Sequence, residues 1–195
     1  MKNNLAVCCV LLFLTMVSSC LHTEEKKEVL FQEAATDWTM EGDAQWRFVN
    51  GVLEGSVANG AGFVMTNTSY SNFSLELEFK PDSTINSGIF IRCKHRELSF
   101  EDCYEVNIWD LHPKQENRTG AIVSRMSPLE KVHTINQWNT YKIKNNKDHL
   151  QAWINDVLVI DLKDNDRVEG PIALQAAESG TILFRNVKLT TLPID

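Results

Sequence analysis

The chain has 195 residues, with 26 Asp or Glu against 19 Lys or Arg and a formal net charge of −7. A phosphate-binding surface needs clustered Lys and Arg, so this balance excludes nucleic acid as a partner and favours neutral ligands. The length suits one domain with one core and is short for two.

Residues 1–19 read as an export signal. Lys2 precedes an apolar run from Leu5 to Val17, which ends in the small-residue stretch Val17-Ser18-Ser19 ahead of Cys20. The run is shorter than the roughly 20 apolar residues that a membrane-spanning helix needs, and Val-Ser-Ser-Cys resembles the bacterial lipobox. Cleavage would leave Cys20 as the lipid-carrying first residue of a bacterial envelope lipoprotein, held to the membrane by that lipid alone and facing the periplasm or the cell surface. An ordinary secretory signal is the alternative. Residues 20–28 are polar and charged without periodicity, the composition of a solvated tether, and 29–195 form the folded domain.

From Phe48 onward, short β-rich stretches alternate with clusters of Gly, Asn, Asp and Pro, the signature of an all-β sandwich or barrel. Ser74 to Lys80 alternates strictly and stops at Pro81-Asp82, which sends Leu75, Leu77 and Phe79 to the core. In Gly88-Ile89-Phe90-Ile91-Arg92 a period of two places Ile89 and Ile91 inward and Phe90 with Arg92 outward. In Tyr104 to Asp110, Val106 and Ile108 go inward, leaving Glu105, Asn107 and Trp109 on the opposite face. Thr140 to Lys144, His149 to Ile154 and Val157 to Ile160, separated by turns at Asn145 to Asp148 and Asn155-Asp156, form a three-stranded meander. In Gly170 to Gln175, Ile172 and Leu174 point inward and Gln175 outward. No window shows a capped 3.6-residue period, so helices should be short and peripheral.

Cys93 and Cys103 flank a strand connection in a chain bound for an oxidising compartment; a disulfide between them and two free, partly buried thiols both fit the sequence. If the three site-bearing strands share one sheet, Arg92, Glu105, Asn107, Trp109 and Gln175 form a single polar and aromatic patch. Such a patch suits a sugar, whose hydroxyls need fixed donors and acceptors while its C–H face stacks on an aromatic ring, here Trp109. An ordinary solvated sheet face is the plain alternative. His95, His112, His133 and His149 lack the spacing of a zinc site, and no Gly-x-Ser-x-Gly elbow supports a serine nucleophile. Asp110 with His112, or Glu105 with Asp110, are the available acid/base pairs.

The strings N-S-G-I-F-I-R at 86–92, Y-E-V-N-I-W-D at 104–110, T-G-A-I-V at 119–123, Q-W-N-T-Y-K-I at 137–143, I-N-D-V-L-V at 154–159, G-P-I-A-L-Q at 170–175 and F-R-N-V-K-L at 184–189 occur in order. Together they resemble the 3-keto-disaccharide hydrolase family. The resemblance implies a concanavalin A-like jelly-roll sandwich of two antiparallel sheets, exported by glycan-degrading bacteria, that cleaves glycosidic bonds of sugars oxidised at carbon 3. It places Arg92, Glu105, Asn107, Asp110 and Gln175 within recurring strings, with Glu105 or Asp110 as base and Arg92 as the clamp on an enolate or hydroxyl. Asn107, Trp109, Gln175 and His112 would bind substrate, and a divalent cation is an optional assistant. One departure stands out. The family often has a His two or three residues beyond the Leu-Gln string, where this chain has Ala176-Ala177-Glu178. Two expectations follow: a hydrolase or lyase acting on 3-keto-glycosides, and a non-catalytic, lectin-like glycan binder on the same sandwich.

Overall fold

Alternation of apolar and polar side chains builds two sheets that bury one face each. The computed structural model describes residues 26–193. Its strands are β1 (Lys27–Val29), β2 (Trp38–Gly42), β3 (Gln45–Val49), β4 (Val52–Val57), β5 (Ala61–Thr66), β6 (Phe73–Pro81), β7 (Ile85–Ile91), β8 (Tyr104–Ile108), β9 (Asn139–Asn146), β10 (His149–Ile154), β11 (Val157–Lys163), β12 (Ala173–Glu178) and β13 (Gly180–Thr191). A 3-10 turn at Gln115–Asn117 is the one helical element among the described residues.

One sheet runs β11-β10-β9-β6-β13-β4-β3, with β1 pairing β13 beyond the end of β4, and the other runs β2-β5-β12-β7-β8. Every pairing is antiparallel, so the chain forms the expected jelly-roll sandwich. Leu75, Leu77 and Phe79 of β6 face the core, as do Ile89 and Ile91 of β7, Val106 and Ile108 of β8, and Ile172 and Leu174 at β12. The β9-β10-β11 meander closes through Asn155 and Asp156, both at positive φ, which matches the twist of the strands they join. Asn50-Gly51 closes the β3-β4 hairpin in the same way, at φ 52° and 77°.

The ordered fold begins earlier than the composition suggests. Lys27 pairs with Thr190, so residues 27 and 28 belong to the sheet and not to a tether; a backbone pairing of this kind tolerates charged side chains on its solvent face. The signal, Cys20 and the start of the tether lie outside the described residues.

β7, β12 and β8 are neighbours, which places their alternate side chains on one outer face. Next to them a second apolar cluster forms on that face, from Met65, Phe90, Cys93, Cys103 and Ala173, with Phe63 and Leu98 packed against it. Cys93 and Cys103 are joined in a disulfide that closes the ten-residue excursion between β7 and β8. By loop-closure entropy such a link stabilises by about 3 kcal/mol. Urea unfolding of Cys93→Ala/Cys103→Ala should therefore show a loss of about 3 kcal/mol, and dithiothreitol should lower the wild-type midpoint toward that of the variant.

Candidate functional site

The site is built where β8 leaves the sheet and the chain returns to it. After Ile108 the chain makes an excursion through Trp109, His112 and the 3-10 turn, then lies back along β8. There the Asn107 N–H donates to Ala121 O at 3.0 Å, Gly120 N–H to Asn107 O at 3.1 Å and Val123 N–H to Glu105 O at 3.1 Å. A cleft of about 330 Å³ opens over this edge, lined by Asn86, Phe100, Glu105, Asn107, Trp109, His112, Lys114 and Val123, among others.

Glu105 sits in this cleft only 7% exposed, opposite Phe90 in the register of β7 and β8. Its carboxyl lies across Gly88, where a methyl group would meet Glu105 Cγ and Oε1 at 3.2 Å; a glycine there leaves room for the acid. Burial without a compensating charge pushes the Glu105 carboxyl up from its ordinary value to about 7. A carboxyl poised there exchanges a proton readily near neutrality.

Trp109 and His112 pack edge to face, with ring centroids 4.5 Å apart. His112 Nδ1 accepts the Lys114 N–H at 2.9 Å, so the neutral ring carries its proton on Nε2. Gln115 Nε2 donates to the carbonyls of His112 and Asp110 at 2.8 and 3.2 Å and ties the excursion together. Asn107 is 1% exposed; its Oδ1 accepts the Ile108 N–H at 2.9 Å and its Nδ2 donates to Asn117 O, so it braces the loop from beneath. Gln175 shares the outer face, opposite Phe63 in the register of β5 and β12, but lies outside the cleft lining; its Oε1 is buried with no hydrogen-bond partner among the described residues.

Two of the candidate catalytic residues take structural posts instead. Arg92 does not continue the alternation of β7, because at φ 50° it leaves the strand and turns away from the face that Phe90 occupies. Its guanidinium, in a residue 2% exposed, donates to Ser71 O at 3.2 and 3.0 Å, Lys147 O at 2.6 Å, Arg167 O at 3.1 Å and Asn72 Oδ1 at 3.4 Å. With its donors spent on these acceptors, Arg92 clamps three chain segments and no substrate. Asp110 accepts the Thr134 N–H at 2.7 Å and the Thr134 Oγ1 hydroxyl at 2.8 Å, with Arg118 Nη2 3.8 Å away. It pegs the Trp109 excursion to the segment ahead of β9 and is not in the cleft lining. The structure thus brings together Glu105, Asn107, Trp109 and His112, leaves Gln175 on the outer face but outside the cleft lining, and sets Arg92 and Asp110 apart.

The cleft also takes in Asn86, Phe100, Lys114, Asn117, Val123 and Ser124, none of which the sequence singles out as a site residue. Asn86 was within reach of the same parity count, since 86, 88 and 90 share a face of β7; Phe100 and Lys114 lie in loops that carry no periodic signal. Among the described residues no three His, Cys, Asp or Glu side chains gather in a way that would hold a metal ion.

Residues 26–190 match the family model of the 3-keto-alpha-glucoside-1,2-lyase-like domain. A Parabacteroides distasonis protein that carries a provisional glycosyl hydrolase name superposes with a TM-score of 0.75 at 24% identity, over 86% of this chain and 100% of its own. A second protein of that organism, with the same provisional name, gives 0.70 at 18% identity over 81% and 90%. A carbohydrate-binding module of Bacillus subtilis gives 0.61 at 20% identity over 78% and 95%. No curated protein matches the sequence significantly.

The raised Glu105 carboxyl has a consequence for stability. Between its ordinary value of 4.5 and about 7 the folded protein holds a proton that the unfolded chain has released, so stability falls as pH rises through that window, by about 3 kcal/mol. Glu105→Gln removes this penalty. Chemical denaturation should show the variant equal to wild type near pH 4 and more stable by up to about 3 kcal/mol at pH 8; a variant destabilised at pH 8 would contradict the assignment.

Proposed function

Because this chain belongs to the family of 3-keto-alpha-glucoside-1,2-lyase-like domains, we propose that it cleaves 3-keto-glycosides by elimination and hydration, with Glu105 as the base. A carbonyl at carbon 3 acidifies the neighbouring C2–H. Glu105 takes that proton, and the electron pair of the C2–H bond moves into an enolate whose negative charge rests on the C3 oxygen. The enolate then collapses: the ketone re-forms, a C1=C2 double bond appears, and the C1–O bond to the leaving group breaks. The leaving oxygen takes up the proton that Glu105 removed. Water adds across C1=C2, hydroxyl to C1 and proton to C2, giving the free 3-keto sugar.

The observation that carries this reading is a lone carboxyl of the cleft lining, buried, pushed up to about 7 by that burial and set beside an indole ring. Trp109 offers a platform for the sugar's C–H face. His112, with its proton on Nε2, and Lys114 supply donors on the same wall for the oxygen where charge develops. Asn107 holds the loop that carries them. Export and lipid attachment at Cys20 belong to the same proposal, as the route by which such an enzyme would meet extracellular sugars; lipid labelling of the expressed chain, lost in Cys20→Ser, tests that part.

A second reading, a glycan binder that breaks no bond, is favoured by the likeness to a carbohydrate-binding module. Incubation of the purified protein with a 3-keto-glucoside separates the two. The lyase reading predicts release of the aglycone with kcat/KM rising as pH passes about 7, the value at which Glu105 loses its proton. Glu105→Gln should reduce the rate by at least about a hundredfold, and Trp109→Ala should raise KM. No turnover, with and without added divalent metal, would leave the binder reading, for which calorimetry should show saccharide affinity lost in Trp109→Ala.

A further inference from the structure

The two ends of the cleft differ in chemistry. At the end of β8 that runs into Trp109 gather Asn86, His112 and Lys114, all with polar or charged tips. Asn86 belongs there because its neighbour Ser87 pairs with Ile108, the residue before Trp109. At the opposite end stands Phe100, carried by the excursion that leads into β8. The outer-face side chains beside that end are apolar: Phe90, Met65, Ala173 and the Cys93–Cys103 pair, with Leu98 packed on them.

Phe100 is presented by a braced loop. Leu98, two residues before it, is anchored in the apolar cluster. The Asp102 and Cys103 N–H groups donate to Ser99 O at 3.2 and 2.9 Å, which folds residues 99–103 into a tight turn. Arg167 Nη2 donates to the carbonyl of Glu101, the next residue along, and Arg167 is itself 5% exposed. The disulfide closes the loop at its base. Between these fixed points the Phe100 side chain remains 42% exposed, facing the cleft instead of joining the cluster beneath it. A fixed, solvated aromatic ring at the rim of a cleft gains free energy when a flat apolar surface covers it.

We propose that the Phe100 end of the cleft is a leaving-group subsite that selects glycosides with a flat, apolar, uncharged aglycone. This rests on the lyase reading, which places C1 and C2 of the sugar over Glu105. The keto-sugar, whose C3 oxygen needs donors, lies toward His112 and Lys114; the group leaving from C1 then lies toward Phe100. Beside Glu105 on the return segment the lining adds Val123 and Ser124, with the Ser124 N–H already donated to Asn117 Oδ1 at 3.2 Å; one hydroxyl is less than a second sugar ring needs, so an aryl or benzyl aglycone fits the Phe100 ring better than a saccharide.

Benzyl and methyl 3-keto-glucosides test this, since their leaving alcohols are of similar acidity and differ in the ring alone. Wild type should favour the benzyl compound in kcat/KM by about tenfold, chiefly through KM, as one stacked and desolvated ring provides. Phe100→Ala should bring kcat/KM for the benzyl compound down to that for the methyl compound, and Phe100→Tyr should retain the preference. Equal kcat/KM for the two substrates in wild type, or a preference that survives in Phe100→Ala, overturns the subsite and leaves the lyase reading intact. If neither substrate is turned over, the lyase reading fails, and calorimetry with the same two compounds decides the subsite: tighter binding of benzyl than methyl, lost in Phe100→Ala, upholds it, and equal binding overturns it.

Discussion

Three backbone hydrogen bonds between β8 and the returning segment 119–123 hold the site together. Without them β8 would be the bare edge of the five-stranded sheet, with a row of unpaired N–H and C=O groups open to water or to another chain. The return pairs those groups, and its route from Trp109 back to Val123 raises a wall along the sheet edge. That wall takes Glu105 out of bulk water, and its excursion carries Trp109 and His112. Edge protection and site construction are thus one structural act, and the side chains that brace it are Asn107, bonded to Asn117 O, and Asp110, bonded to Thr134.

The buried charges fall into two kinds. Arg92 and Asp110 have their polar atoms met by backbone and hydroxyl partners, the condition under which a charge is tolerated inside a protein. They join segments distant in sequence: Arg92 ties residues 71, 147 and 167, and Asp110 ties the Trp109 excursion to Thr134. Glu105 is of the other kind. Desolvation is the cause of its shift, and no cation offsets it. Removing Asp110 or Arg92 would disturb positions; removing the charge on Glu105 would relieve the fold.

Much of this architecture was legible in the sequence because period-two alternation is a local property. Leu75, Leu77 and Phe79, or Val106 and Ile108, declare their face whatever the rest of the chain does. The same count placed Glu105, Asn107 and Gln175 on a shared outer face, and it failed at Arg92 for a definite reason: one residue at positive φ ended β7 and reversed the side-chain direction. No composition rule marks that reversal, since the residue is neither Gly nor Asn. Asp110 illustrates a different limit. A carboxylate next to a Trp and near a His has the look of a catalytic acid, and what removes it from the cleft is a partner 24 positions away, Thr134, that alternation does not announce. Phe100 and Lys114 lie in irregular loops, whose positions depend on the disulfide, on Leu98 and on Arg167, and on the pairing of the return segment.

Jelly-roll sandwiches serve both as binding modules and as hydrolases, so the scaffold alone does not separate the two roles. The state of the acid in the cleft bears on them differently. A binder gains most from a carboxylate that is ionised, partly hydrated and aimed at hydroxyls, because a charged acceptor makes the stronger hydrogen bond. Burying that carboxylate under a loop weakens its claim to the charge and destabilises the fold above neutrality, with no return in affinity. A base for proton transfer has the opposite requirement. Its conjugate acid must be weak enough to pull on a C–H bond, and seclusion from water near an apolar floor produces that basicity. Glu105 over Gly88, with Phe90 opposite and the return segment above, is secluded in this second manner, and that seclusion is what supports the lyase reading proposed above.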